Sequence, residues 1–300
     1  MARGGLLPAD DRLTGDGRGL VAAVVLIAAG AWAMLLFGPL SHDPAVDGAW
    51  PHGHAEPEVP HGHAGPPTPD AAAQHPGSPA AGSPAAGSAA DVSAAGPHLV
   101  AGWALMVLAM MLPPALPLLQ TIRRLVARRP ARLALLLAGG AAFLAVWLLA
   151  GLVFVLGDLM LGLAAEHLPA VRAHPEVPAG LAAVGAGFYQ FSAAKRACLA
   201  ACRSPHAVAL GSWRGIRPRA VEVATIGLRF GLICVGCCWA LMLLTFAVGA
   251  AALPVMVLIS VVMLLERLLP RTRPLVPAVA VGAIALGALI LVGTVPPGLV

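Results

Sequence analysis

Residues 228–249, LRFGLICVGCCWALMLLTFAVG, carry one charged side chain near their start and none in the twenty residues that follow. A helix needs about 20 mainly apolar residues to cross the hydrocarbon core of a bilayer. The stretch therefore predicts a membrane-spanning helix. It also places three thiols, those of Cys234, Cys237 and Cys238, within five residues and one turn before Met242.

The composition of the whole chain agrees with this reading. Of 300 residues, 59% are hydrophobic and 11% are charged, and the mean hydropathy is +0.84. Soluble domains have about 25% charged residues, so we interpret the chain as an integral membrane protein. The formal charge of +5 fits the basic residues that orient membrane proteins. No basic face with interleaved aromatic residues favours nucleic acid as a partner.

Seven segments are apolar enough to span, which predicts an all-α polytopic membrane helix bundle. The predicted spans are 19–39, 98–119, 133–157, 179–199, 228–249, 251–269 and 275–294. The first exceeds the apolar region of a typical signal peptide, and we expect it to remain as an anchor. The predicted divisions are a cytoplasmic tail (1–18), the first helix (19–39), an extracytoplasmic loop (40–97), a six-helix core (98–294) and a C-terminal tail (295–300).

The basic residues predict the orientation of these spans. If the helices alternate in direction, the N-terminal tail and the stretches 120–132, 195–229 and 267–273 lie on one side, and together they hold 18 of the 19 Lys and Arg residues. Only Arg172 lies opposite. The positive-inside rule then predicts a cytoplasmic N-terminus and an extracytoplasmic C-terminus. We expect a multi-pass protein of the bacterial cytoplasmic (inner) membrane.

The long outer loop contains a repeated phrase. Residues 41–97 have no Lys or Arg and are rich in Pro, Ala, Gly and Ser, which predicts disorder. Within them P-H-G-H occurs at 51–54 and again at 60–63. Neutral imidazoles bind copper, zinc and nickel, so the repeat is either a loose metal site or a low-complexity linker. The candidate outer ligands are His52, His54, His61 and His63.

All five cysteines fall within 41 residues of one another, in the inner halves of the fourth and fifth predicted spans. Cys198 and Cys202 are one helical turn apart, and Lys195 shares their stripe. In the fifth span Cys234, Cys238 and Met242 repeat every four residues, with Cys237 beside them. A site that all of them share requires a favourable stagger between the two helices, which spacing does not determine.

Further sulfur lies in the second span, where Met106 and Met110 share one helical face and Met111 lies beside them. Thiolate and thioether ligands select Cu(I) among biological metals, and zinc is the second candidate. The alternatives are ordinary packing, because Cys and Met both serve as small buried hydrophobes, and a membrane thiol oxidoreductase that uses Cys198/Cys202 and Cys234/Cys237/Cys238.

Two charged residues belong to the same analysis. Lys195 is the only lysine of the chain; it either activates a nearby thiol or anchors a helix at the interface. Glu266 lies near the inner end of the sixth span, as a ligand, a partner for the neighbours of Arg267 or an interface charge.

Five motifs together resemble a bacterial family of predicted metal-binding integral membrane proteins, copper-chaperone-like and linked to copper supply for a tyrosinase. They are WALMVLAMMLPP (103–114), GFYQ (187–190), KRACLAACRSP (195–205), GCCWALM (236–242) and ER (266–267). The resemblance covers residues 98–270. It implies that the five cysteines are the family's cysteines and that Gln190, Lys195 and the four methionines named above stand at its motif positions.

This chain departs from the family pattern at two places. The usual Met-Asn pair after the fifth span is Ala251-Ala252, so any ligand role of that methionine is absent. The usual Glu-Lys is Glu266-Arg267. The expected function is non-enzymatic: Cu(I) handling, as a chaperone or transporter, for an extracytoplasmic cuproenzyme or a small copper-carrier protein.

Overall fold

The computed structural model of the chain describes residues 9–38, 89–169, 173–174, 176–247, 252–268 and 274–294. These residues form helices and short connections, and no strand occurs among them, which confirms the all-α prediction for this part of the chain. The helices are α1 (Ala9–Phe37), α2 (Ala89–Val126), α3 (Arg132–His167), α4 (Glu176–Gln190), α5 (Ala193–Cys202), α6 (Pro205–Ser212), α7 (Arg219–Ala247), α8 (Ala252–Leu268) and α9 (Leu275–Leu291).

Within the described ranges, four stretches are long and apolar enough to cross a membrane. They are Gly17–Phe37, Val100–Val126, Arg132–Gly157 and Arg219–Thr245, and α9 is a shorter apolar helix. The membrane character of the chain is therefore supported by length and composition. Seven spans and the orientation of the termini stay predictions.

The fourth predicted span, 179–199, is wrong as one continuous helix. The chain leaves the helical conformation after Gln190, and Ser192 has extended backbone angles, with φ −66° and ψ 150°. The Ser192 hydroxyl accepts a hydrogen bond from the Lys195 N–H at 3.0 Å. A serine hydroxyl accepts hydrogen bonds from the free N–H groups of a first helical turn. Ser192 therefore caps the start of a new helix here. Cys198 and Cys202 therefore belong to the short helix α5.

Two boundaries also differ from the sequence-based prediction. Helix α1 begins at Ala9, inside the predicted tail of residues 1–18. Helix α2 begins at Ala89, so residues 89–97, which we predicted to be disordered, are helical. The two P-H-G-H phrases lie outside the described residues.

Helix α7 is the central element of the described fold, because α3, α4, α5, α6 and α8 all pack against it. Glycine permits the close approach of α3 and α7, since a Cβ atom at Gly227 would collide with the carbonyl oxygen of Gly139. The helices α1 and α2 pack together on one side, and α4 and α9 pack together on another. The fifth predicted span thus lies where its thiols meet side chains from several neighbours.

Candidate metal centre

Four cysteine sulfurs meet where α5 and α8 approach α7. We call Cys202, Cys234, Cys237 and Cys238 the sulfur cluster. The Sγ atoms of Cys202 and Cys237 are 3.6 Å apart across two helices. All four side chains are buried, and all five cysteines of the chain are free thiols. The stagger that a shared site requires is therefore present for Cys202.

The spacing on α7 explains why three thiols face one way. Residues three and four apart share a helical face, so Cys234 presents its sulfur beside those of Cys237 and Cys238. The Cys238 Sγ also donates a hydrogen bond to the Cys234 carbonyl oxygen at 2.8 Å. Cys238 is thus held against its own helix, whereas Cys202 and Cys237 face each other between helices.

Cys198 lies against α7 at a glycine next to the cluster. A Cβ atom at Gly236 would be 2.8 Å from the Cys198 Sγ, so the missing side chain gives the thiol its room. Its residue is half-buried. The end of α4 is fixed at the same place, because the Tyr189 hydroxyl donates to the Gly236 carbonyl at 2.5 Å and its ring meets Trp239 edge-on at 4.9 Å.

Arg267 contacts the sulfur cluster from α8. Its Nη2 lies 2.7 Å from the Cys234 Sγ, 3.2 Å from the Cys237 Sγ and 3.9 Å from the Cys238 Sγ. Its Nη1 is buried and has no hydrogen-bond partner in the described part of the chain. In the sequence, Arg267 stood out only as a departure from the lysine that the family resemblance implied. That departure was the available signal, because Arg and Lys differ in shape and hydration.

A buried ion pair holds the end of α8 beside α5. The Lys195 Nζ is 2.8 Å from the Glu266 Oε2, and the two side chains are 1% and 2% exposed. Arg203 donates to the Glu266 carbonyl oxygen through Nε, at 3.0 Å, and through Nη2. Neither predicted role of Lys195 describes this contact. Glu266, which we expected as a ligand, a partner for the neighbours of Arg267 or an interface charge, has Lys195 as its partner.

The remaining predicted residues occupy the apolar core around the cluster. Gln190 is buried at the end of α4, and neither its Oε1 nor its Nε2 has a partner among the described residues. The methionines Met106, Met110, Met111 and Met242 belong to the same buried core as the cysteines. Two methionines of α8 that the sequence analysis did not single out, Met256 and Met263, lie there too.

The sulfur cluster is not a preformed metal site. Among the described residues, no group of three or more His, Cys, Asp or Glu side chains is arranged to hold a metal ion. The guanidinium of Arg267 contacts the sulfurs of Cys234 and Cys237 where a metal ligand would otherwise be open to an ion. The donor set itself fits a soft monovalent ion, since thiolates bind Cu(I) in preference to hard cations.

Comparison with known proteins gave one family match. The family model described as PpoB2, copper chaperone, matches residues 100–290. It spans the helices α3 to α8 with all five cysteines and Arg267, and it begins after the His-rich loop. No curated protein and no solved structure matches the chain. The match confirms the resemblance that the motifs predicted.

Proposed function

Because this chain belongs to the PpoB2 copper chaperone family, we propose that it is a membrane protein that binds Cu(I) as cargo at the sulfur cluster. The approach of the Cys202 and Cys237 sulfurs to 3.6 Å across two helices carries this proposal. Two soft donors from separate helices form a pair that one small ion can bridge. Packing alone gives no reason to bring four thiols together beside an arginine.

The contacts rank the cysteines as ligands. Cys202 and Cys237 are the first pair, because their sulfurs already face each other, and Cys234 is the third donor on the same face of α7. Cys238 is an outer donor, since its thiol bonds to the backbone of its own helix. Cys198 lies against Gly236, and we place it in the entry or release of the ion and not among the tight ligands.

We also propose a route for the copper ion between the sulfur cluster and the far side of the membrane. The thioethers of the second predicted span and of α7 form a soft path through the core. The histidines of the outer loop gather or hand over metal on the far side. Those ligands are Met106, Met110, Met111 and Met242 for the path, and His52, His54, His61 and His63 for the loop. The recipient is an extracytoplasmic cuproenzyme or a small copper-carrier protein.

We propose a seven-span arrangement in the bacterial inner membrane, with the N-terminus in the cytoplasm. Helices α8 and α9 have 17 residues each, within the range of spanning helices of about 17 to 25 residues. Helices α4 and α5 then form one interrupted span, in which side chains satisfy freed backbone groups: the Ser192 hydroxyl accepts from the Lys195 N–H, and Arg196 donates to the Phe191 carbonyl. Reporter fusions at residues 130, 172 and 300 test this: activity of a periplasmic reporter at 130 contradicts it.

The thiol oxidoreductase alternative receives no support from the family match. It predicts that Cys202 and Cys237, the closest pair, form a disulfide during turnover. Trapping a mixed disulfide with a partner in a Cys237→Ser variant favours that alternative over copper handling.

A Cu(I) competition titration tests the copper proposal. The purified full-length protein in detergent is titrated against a chromophoric Cu(I) chelator under reducing conditions. We expect the double variant Cys202→Ser/Cys237→Ser to lose at least about 100-fold in affinity, because loss of an outer-shell partner alone costs about 10- to 100-fold. Cys198→Ser is the matched control on the same helix and should bind as the wild type does.

A variant lacking residues 41–97 separates the loop from the cluster in the same titration. It should keep the tight sulfur site and lose only weaker binding by histidine. Unchanged binding by the double cysteine variant, or loss of tight binding in the loop deletion, contradicts the proposed site.

A further inference from the structure

We infer that Arg267 is the counter-charge of the copper site: its guanidinium fills the sulfur cluster before loading and neutralises the Cu(I)–thiolate complex after loading. This inference rests on the proposed function and names how the site is kept ready and how it selects its cargo. It assigns a role to a residue at which this chain differs from the usual family sequence.

The geometry gives Arg267 a direct place in the site. A single nitrogen, Nη2, lies within 3.9 Å of three of the four cluster sulfurs. Those sulfurs are all on α7, while Arg267 comes from α8, so the contact is made between helices. The end of α8 is fixed by the buried pair of Glu266 with Lys195. Arg267 is therefore aimed into the cluster by its neighbour in sequence.

The net charge of the loaded site explains why a cation in contact with the sulfurs matters. Binding of Cu(I) by two thiols releases two protons, 2 RSH + Cu+ → Cu(SR)2− + 2 H+, and leaves one net negative charge. An unpaired buried charge is strongly unfavourable in a low-dielectric interior. The charge of Lys195 is already matched by Glu266. Among the described residues, Arg267 is the cation that contacts the cluster sulfurs, and it makes the loaded site neutral.

The same side chain must shift when copper arrives. Its Nη2 now contacts the sulfurs of Cys234 and Cys237, two of the proposed ligands, so loading moves it outward while its charge stays near. The planar guanidinium has five donors, and Nη1 is free of partners in the described residues, which leaves one edge available for the outer side of a metal-bound sulfur.

A comparison of two soft ions separates charge from shape. Hg(II) bound by two thiolates is neutral, 2 RSH + Hg2+ → Hg(SR)2 + 2 H+, whereas the Cu(I) complex carries one negative charge. Each ion is titrated separately, by competition with a chelator, into purified full-length protein. All variants carry Cys198→Ser, so that the cluster supplies the thiols.

We expect Arg267→Gln to lower Cu(I) affinity by about tenfold or more, since one unit charge a few ångströms away contributes at least that much in a protein interior. Its Hg(II) affinity should stay the same or rise. Arg267→Lys, which keeps the charge, should retain most of the Cu(I) affinity. Arg196→Gln is the matched control, because Arg196 is an exposed arginine of α5 that donates to the Phe191 carbonyl at 2.6 Å; it should leave both affinities unchanged.

The outcomes distinguish this inference from the proposed function. Absence of Cu(I) binding by the parent protein overturns the proposed function and the inference with it. If the parent binds Cu(I) but Arg267→Gln binds it equally well, or loses Cu(I) and Hg(II) by the same factor, the inference is overturned and the copper site stands. Arg267→Lys provides a second test in case the Gln variant fails to fold. If Arg267→Lys loses Cu(I) affinity and Hg(II) affinity by the same factor, the inference is also overturned.

Discussion

Helices meet in two different ways in this molecule. The interface between α4 and α9 uses small residues, whereas the region around the sulfur cluster uses polar and charged ones. In the first, small residues let two backbones touch: a Cβ atom at Gly187 would be 2.7 Å from the Ala280 carbonyl oxygen, and one at Gly287 would be 2.6 Å from that of Gly180. Such contacts join helices by van der Waals packing without any buried charge.

The second region buries groups that packing does not require. It holds four thiols, the Lys195–Glu266 ion pair and the guanidinium of Arg267 within a membrane protein core. Buried ion pairs rarely stabilise more than well-packed apolar residues of similar volume, and ionisable groups inside membrane proteins mark functional sites. A chain that can close a helix pair with glycine has no packing reason for this second region. The difference supports the proposal that the polar cluster serves the chemistry of the site and not the packing of the helices.

Breaking the ion pair should give the largest loss of stability in either region. Glu266→Gln leaves the Lys195 ammonium buried without its partner, and we expect a loss of about 3–5 kcal/mol in the free energy of unfolding. Denaturant unfolding in detergent, followed by circular dichroism, measures it. The double variant Lys195→Met/Glu266→Met should recover most of the loss, because both charges are then gone.

The same double variant sharpens the comparison. It should weaken Cu(I) binding even where it restores stability, because Arg267 loses the anchor that aims it into the cluster. A double variant as unstable as Glu266→Gln alone would show that the pair is needed for packing, and the contrast between the two regions would fail.

A methyl group at the glycine interface should have a smaller effect, on stability alone. In Gly187→Ala the added Cβ meets Ile284 at 2.5 Å and backbone atoms close behind it, so α4 and α9 must move apart. Overpacking of this kind costs about 1–3 kcal/mol. Thermal unfolding measures the change, and Cu(I) affinity should be unaltered, since this interface contributes no ligand.

Gly185→Ala is the control for that substitution, because it lies on the same helix and a Cβ there meets nothing within 4 Å. It should be neutral or slightly stabilising, as alanine is favoured over glycine inside a helix by roughly 0.5–1 kcal/mol. Equal destabilisation by both substitutions would contradict the account of close packing.

The sequence predicted the helices better than the site. Apolar runs were sufficient for the all-α fold and for the long helices around 133–157 and 228–249, because lipid demands long uncharged segments. The interruption after Gln190 was missed because the surrounding residues are apolar enough for one helix, and the local competition by the Ser192 hydroxyl decided the outcome.

The sequence predicted only in part which side chains meet at the site. Helical spacing put Cys234, Cys237 and Cys238 on one face, which is a local property. The meeting of Cys202 with Cys237 depends on how two helices are staggered, and the contact of Arg267 with Cys234 joins residues 33 apart in the chain. The spacing of residues along one helix predicts neither of these two contacts, because each joins different helices. Cys202, Cys237 and Arg267 all lie within the family motifs, but the motifs do not give their arrangement.

The central claim is that sulfur from the cluster binds Cu(I), and X-ray absorption at the copper K-edge tests it most directly. The full-length protein, with residues 41–97 intact, is loaded with an equimolar amount of Cu(I) under reducing conditions. We predict a first shell of sulfur alone, which disappears in the Cys202→Ser/Cys237→Ser variant. A first shell of nitrogen with the outer-shell pattern of imidazole, unchanged in that variant, would place copper on histidine and contradict the account.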